Sequence, residues 1–232
     1  MPIHLPPTTA FGRGALAAMP LTLAVAPWGL LAGSMAIEAK LTPLQSQGLS
    51  VFVFAGGAQL VAIGMLKSGA SLLSILLTTL LVTSQHLLYG LSMRPVLANL
   101  AARWRLPLGF LLTDEAFALT SSHGPSRFNR WYMLGAGLSF YIAWNLYTLA
   151  GIVMGQNIPG LDKLGLDFSI AATFIALITP LVRSIPTLVC VGTSLCCSVL
   201  LSYWGWESAL VVSGLLGMCA GFTCNKLWGA AA

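Results

Sequence analysis

The chain has 232 residues, 57% of them hydrophobic and only 7% charged, with a formal net charge of +5. Soluble domains are about 45–50% apolar and about 25% charged, so a water-soluble fold of this composition would expose large apolar patches. The mean hydropathy of +0.86 points to lipid as the solvent, and the 11 basic residues form no run dense enough for a nucleic-acid interface.

A spanning helix needs roughly 20 apolar residues. The sequence therefore predicts an all-α, polytopic transmembrane helical bundle of seven to eight membrane segments. Residues 15–228 form one domain, flanked by tails at 1–14 and 229–232. Residues 1–14 are rich in proline and threonine and are expected to be disordered or interfacial. Arg13 precedes an apolar run that is long for a leader peptide and is interrupted by Pro20 and Pro27, so it reads as a first membrane segment, 15–37, kinked at those prolines. Gly29 and Gly33 give it a small-residue face for close helix packing.

The second segment, 48–66, carries Gly56-Gly57 in its middle, a pair that loosens a helix or admits another backbone. The third, 70–93, is apolar until Thr83-Ser84-Gln85-His86. The stretch 106–120 is too short for a comfortable crossing and holds Asp114 and Glu115. It reads as a re-entrant or broken helix lining a cavity. Segments at 131–155, 168–182, 185–204 and 207–227 follow, the last with Gly217 and Gly221 spaced for packing. The five cysteines lie in these later apolar stretches and are expected to be buried, reduced packing residues.

Arg94, Arg103, Arg105, Arg127 and Arg130 belong on the cytoplasmic side under the positive-inside rule. That requires 106–120 to enter and leave on one face. Counting back from there puts the N-terminus outside, where Arg13 fits poorly, so one early segment is expected to be broken or re-entrant.

Polar residues at membrane depth carry most of the functional information, because a carboxylate at a helix centre costs about 2.5–3.5 kcal/mol on insertion scales. Gln59 follows the glycine pair, and its amide suits a zwitterionic ligand or a hydrogen bond between helices. Gln85, His86 and Tyr89 share one broad helix face. There His86 is either a substrate or proton group or a satisfied interfacial histidine. Asp114 and Glu115 point about 100° apart on a helix, so they are not a catalytic dyad. One is expected to line the pathway and the other to pair with an arginine, while Thr113 or Asp114 alternatively caps a half-helix. Asn145, one turn after Tyr141, reads as a polar contact between helices. Enzyme motifs are absent from the sequence: no nucleophile elbow, P-loop, metal-ligand cluster or cofactor fingerprint. Active transport without a P-loop is driven by a gradient or by a partner subunit.

Four boxes occur in an order that resembles the AzlC/YgaZ family, the large subunits of branched-chain amino acid exporters. They are Pro27-Trp28-Gly29-x-x-x-Gly33, Phe54-Ala55-Gly56-Gly57-Ala58-Gln59, Ser84-Gln85-His86-x-x-Tyr89-Gly90-x-Ser92 and Leu112-Thr113-Asp114-Glu115-x-Phe117. The resemblance spans about residues 11–120. It implies export of valine, leucine, isoleucine or methionine across a bacterial inner membrane. It also implies a small AzlD/YgaH-type membrane subunit as partner and leaves room for a homo-oligomer of that pair. The family usually has arginine where this chain has Gln85, which offers hydrogen bonds without charge.

With what the resemblance implies, the expectation is a secondary exporter. Gly56, Gly57, Gln59, Gln85, His86 and Tyr89 bind substrate, and Asp114, Glu115 or His86 carries a coupled proton, with no cofactor or metal. The rival readings are a passive channel for a small polar solute and a non-transporting membrane scaffold.

Overall fold

A computed structural model describes residues 6–121, 128–157, 182–206 and 208–229. The helices are α1 (Pro7–Ala24), α2 (Ala26–Glu38), α3 (Pro43–Gly48), a π-helical turn (Leu49–Val53), α4 (Gly56–Lys67), α5 (Leu72–Thr83), α6 (Gln85–Leu97), α7 (Ala102–Phe110), α8 (Asp114–Ser121), α9 (Arg130–Asn157), α10 (Ile185–Tyr203) and α11 (Ala209–Gly229). Among the described residues there is no strand. Backbone polar groups in lipid must be satisfied within their own segment, and helices do this.

The first segment begins earlier than its hydropathy suggests. Pro7 opens α1 at a position that needs no N–H, so residues 7–14 are helical rather than a disordered tail. Ala10 and Gly14 within them are buried. The expected kink is a 57° bend between α1 and α2 at Val25, two residues ahead of Pro27.

The helix α9 is the central post. At 1.5 Å per residue its 28 residues reach about 42 Å, more than a hydrocarbon core of roughly 30 Å. Both α1 and α2 lie along it, with glycines of each side set against the backbone of the other. A Cβ on Gly33 would stand 2.6 Å from the Ile152 nitrogen and closer still to the Thr148 carbonyl. A Cβ on Gly151 would meet the Leu30 carbonyl, and one on Gly135 the Phe11 carbonyl. Lipid is as apolar as leucine, so no hydrophobic force holds such helices together. Close van der Waals approach does, and the Gly29–Gly33 face serves that purpose here.

Four helical spans among the described residues are long and apolar enough to cross a membrane, or five if the bent α1–α2 pair is one span. This is fewer than the seven to eight expected from hydropathy, for three reasons. The second segment is broken at Phe54 and Ala55, so neither half reaches spanning length. The stretch 106–120 is two short helices, α7 and α8, meeting at residues 111–113, which is the broken form expected from its acids. The segment expected at 168–182 falls almost wholly outside the described residues. In contrast, α5 and α6 form one 26-residue span interrupted only at Ser84.

The hairpin α10–α11 closes at Gly217 and Gly221, where a Cβ would strike the Cys190 carbonyl at 2.7 Å and the Cys190 side chain at 2.7 Å. Its cysteines correct the expectation of burial: Cys224 is buried, Cys190 and Cys197 are half-buried, and Cys196 and Cys219 are exposed, all as free thiols. The hairpin meets the rest of the described fold mainly where α11 passes α5, at Gly214 and Leu81. Most of α10 therefore faces outward.

Candidate functional site

The break in the second segment is built by local chemistry. A Thr42–Gln45 capping box starts α3. The chain then widens into the π-helical turn, and Phe54 takes a left-handed conformation (φ 44°) before α4 begins at Gly56. The interruption thus falls two residues before the glycine pair. A Cβ on Gly56 would lie 2.8 Å from Cη2 of Trp144, so glycine is needed there for the approach of the indole as well as for flexibility. Phe54 is 4% exposed and packs edge-on to Tyr141, with Phe110 and Phe140 alongside. A left-handed non-glycine residue costs about 1–2 kcal/mol, whereas deleting a buried phenylalanine ring costs about 3–5 kcal/mol, the lost transfer free energy plus the cavity left behind. Phe54→Gly is therefore expected to destabilise the protein although it relaxes the backbone, read as a lower thermal midpoint in detergent.

Three pairs of residues tie the first half of the broken segment, with Gln47 just ahead of it, to α9. Gln47 Nε2 donates to Asn145 Oδ1 (2.8 Å), the Tyr141 hydroxyl donates to the Val51 carbonyl (3.0 Å), and the Ser50 and Thr148 hydroxyls are 2.8 Å apart. Asn145 is thus the interhelical contact expected of it. Gln59 links the second half to the first, since its Nε2 donates to Ser50 Oγ at 2.8 Å. The Gln59 side chain is 2% exposed, yet among the described residues its Oε1 has no hydrogen-bond partner, and neither does the buried Trp144 Nε1. Each such orphan costs about 1–3 kcal/mol. The N–H groups of residues 56–58 likewise precede the first bond of α4, Gln59 N–H to the Ala55 carbonyl, and have no acceptor within the helix.

The second break joins the other polar clusters. Gln85 Nε2 donates to Asp114 Oδ1 (3.2 Å) and sits 3.4 Å from Oδ2. Asp114 opens α8, where the helix dipole favours an anion, and Thr113 Oγ1 caps the Ala116 N–H at 3.4 Å. Tyr89 stacks on Phe117 with ring centroids 4.6 Å apart, and His86 stands edge-on to Tyr89. His86 Nδ1 lies 3.1 Å from the Thr83 carbonyl. A carbonyl only accepts, so this contact requires a proton on Nδ1. Among the described residues Asp114 is held by the neutral amide of Gln85 rather than by an arginine. Arg130, from the basic link, lies over the Trp104 ring instead (4.8 Å), and Arg127 is outside the described residues.

Gln85, His86, Tyr89, Asp114 and Phe117 therefore form one group. No hydrogen bond or ring contact among the described residues joins Gln59 to it. Ser50, Thr148 and Trp144 are site residues that the sequence does not single out. Ser50 and Thr148 are 98 positions apart, and single hydroxyls in apolar helices look like packing residues.

Such a bundle defines a multi-pass α-helical membrane protein whose interior polar groups gather at two helix breaks. The chain belongs to the AzlC family: the family model described as AzlC protein matches residues 20–158. It is 36% identical over 132 residues to an uncharacterized membrane protein of Helicobacter pylori J99, a match covering 56% of this chain and 57% of that protein. The chain thus spans a little over half the length of the Helicobacter relatives it matches. It is 26% identical to the inner membrane protein YgaZ of Escherichia coli K12 over 96% of this chain and 85% of YgaZ. It is 28% identical to the branched-chain amino acid transport protein AzlC of Bacillus subtilis over 56% of this chain and 51% of that protein. No solved structure matches the chain.

Proposed function

We propose that the chain is the large subunit of a secondary exporter of branched-chain or other hydrophobic amino acids, such as valine, leucine, isoleucine and methionine, in a bacterial inner membrane. The observation that carries this reading is the break at Phe54–Ala55. It leaves the N–H groups of residues 56–58 without an acceptor in α4 and, among the described residues, a buried glutamine oxygen without a partner. Broken helices of this kind hold substrates in transporters, where backbone N–H groups take a carboxylate without a full positive charge. Gly56 and Gly57 admit the substrate backbone, and Gln59 with Gln85, His86 and Tyr89 forms the polar shell along its path. Apolar neighbours take the aliphatic side chain.

Coupling is assigned to the second break. Asp114, Glu115 or His86 carries the proton, driven by the gradient. A small AzlD/YgaH-type membrane subunit completes the complex, with a homo-oligomer of that pair as an assembly to test. The support is the Bacillus relative named for branched-chain amino acid transport and the polar groups at both breaks. Efflux of labelled valine from preloaded cells tests the site. Gln59→Ala and Asp114→Ala, at wild-type expression, are expected to lower it by at least about tenfold, the effect of about 1.4 kcal/mol. Wild-type rates in both variants would remove this site.

A further inference from the structure

We infer that Gln59 meets the substrate as a hydrogen-bond acceptor: its side-chain oxygen takes the ammonium group of an amino acid, while the Trp144 indole N–H, with the amides of residues 56–58, takes the carboxylate. Ser50 and Thr148 are the positioning residues that fix this polarity. The inference rests on the proposed reading of the Phe54–Ala55 break as the substrate site.

The polarity follows from counting protons along one chain of bonds. A hydroxyl has one proton to give. Thr148 spends its proton on the Trp144 carbonyl, 2.9 Å away. Its oxygen, 2.8 Å from Ser50 Oγ, is then left to accept, so the Ser50 proton points to Thr148. Ser50 in turn has only lone pairs for Gln59, which must present its NH2 group at 2.8 Å. The Gln59 amide is held in one sense, and the atom left over is Oε1. That oxygen is sheltered in a residue 2% exposed and has no partner among the described residues.

The second orphan has the opposite polarity. Trp144 is 3% exposed, its Nε1 donor is unpartnered among the described residues, and its ring edge lies against Gly56, the first residue of α4. Trp144 and Thr148 are one turn apart on α9, so the same turn that aims Gln59 also presents the indole. An unmet acceptor and an unmet donor at one helix break suit a ligand that carries both senses. A free α-amino acid does: its ammonium is a donor only and its carboxylate an acceptor only. A 2-oxo acid satisfies the donors alone, and an alkylamine satisfies the acceptor alone. Buried groups left unpaired by a deficient ligand are what make such a site reject it.

The test measures binding to the full-length protein, with any co-purifying subunit, in lipid nanodiscs. The probes are leucine, 4-methyl-2-oxopentanoate and 3-methylbutylamine. Wild type is expected to prefer leucine to the oxo acid by at least about tenfold. Gln59→Leu is expected to erase that preference by weakening leucine and the amine, leaving the oxo acid within about twofold of its wild-type affinity. Gln59→Glu keeps an acceptor and is expected to hold or raise the preference. Thr148→Val frees the Ser50 proton and lets the amide turn over, so the preference is expected to fall at least about threefold and to return in Thr148→Ser. A purely packing role for Thr148 would not move this ratio.

The inference is overturned if wild type does not discriminate, if Gln59→Leu weakens the oxo acid as much as leucine, or if Gln59→Glu loses the preference for the ammonium. If wild type binds the amine in a Gln59-dependent way but no leucine, valine, isoleucine or methionine, the acceptor assignment stands and the amino acid reading fails. If none of the probes and none of those amino acids bind, both fail. Thermal unfolding and elution profile confirm that each variant is folded, and Gln59→Glu carries the test if Gln59→Leu is not.

Discussion

Gly33→Val is expected to leave little folded protein in the membrane. A Cβ there would stand 2.6 Å from the Ile152 nitrogen and closer to the Thr148 carbonyl, and both are backbone atoms of α9 that cannot swing aside. The α2 and α9 axes must then move apart, and the reciprocal contact of Gly151 with the Leu30 carbonyl opens with them. Overpacking a soluble core costs about 1–3 kcal/mol. Here the clash is backbone against backbone, and the separated helices lose the close contact that holds them in lipid. Set against a total stability of about 5–15 kcal/mol, the damage is large. It also displaces Thr148, and with it the chain of bonds to Ser50 and Gln59. Gly90→Ala is the control: nothing lies within 4 Å of a Cβ there, and a helical glycine replaced by alanine gains up to about 1 kcal/mol. Elution profiles and thermal midpoints in detergent read both variants. A wild-type midpoint for Gly33→Val would contradict the packing described.

The second large effect falls at Asp114. Asp114→Ala is expected to lower amino acid efflux at least about tenfold, and Gln85→Arg to retain most of it. The two follow from one geometry. A carboxylate in the membrane costs about 2.5–3.5 kcal/mol, and here it is offset by the Gln85 amide and the start of α8. A guanidinium at position 85 reaches the same carboxylate as a charged partner. Gln85→Leu, which withdraws the amide and adds nothing, is expected to fall between these two. The combination of Gln85→Arg with Asp114→Ala leaves a cation with no partner, and its loss is expected to exceed the sum of the single effects. Efflux of labelled leucine at matched expression measures the set. Additive losses would mean that residues 85 and 114 do not act as a pair.

Much of this architecture is legible in the sequence, and the physical reasons are specific. Charge poverty forces the chain into lipid, and the acids at Asp114 and Glu115 mark a stretch that cannot cross as a plain helix. Gly29, Gly33, Gly217 and Gly221 announce close helix packing, because in lipid only small residues allow it. The segment count is less legible. Hydropathy averages over a window and does not see a single left-handed residue such as Phe54, which divides an apolar run into two short helices. The start of α1 is hidden for the converse reason: residues 7–14 look like a tail in composition, yet Ala10 and Gly14 are buried. The site was half visible. Gln59, Gln85 and Asp114 stand out as polar atoms in apolar runs. Their partners do not, because Ser50, Trp144 and Thr148 acquire meaning only when α9 returns beside the break. The arginine expected from a neighbouring link is not beside Asp114 among the described residues, where the Gln85 amide stands instead.

The proposed path for branched-chain amino acids runs through the break in the second segment. Counterflow of labelled leucine into proteoliposomes preloaded with unlabelled leucine, made with the full chain and any co-purifying subunit, tests it most directly. The expected result is saturable counterflow that valine, isoleucine and methionine inhibit and that Gln59→Ala reduces at least about tenfold. No counterflow above that of empty liposomes would contradict the claim, as would flux that neither saturates nor depends on Gln59.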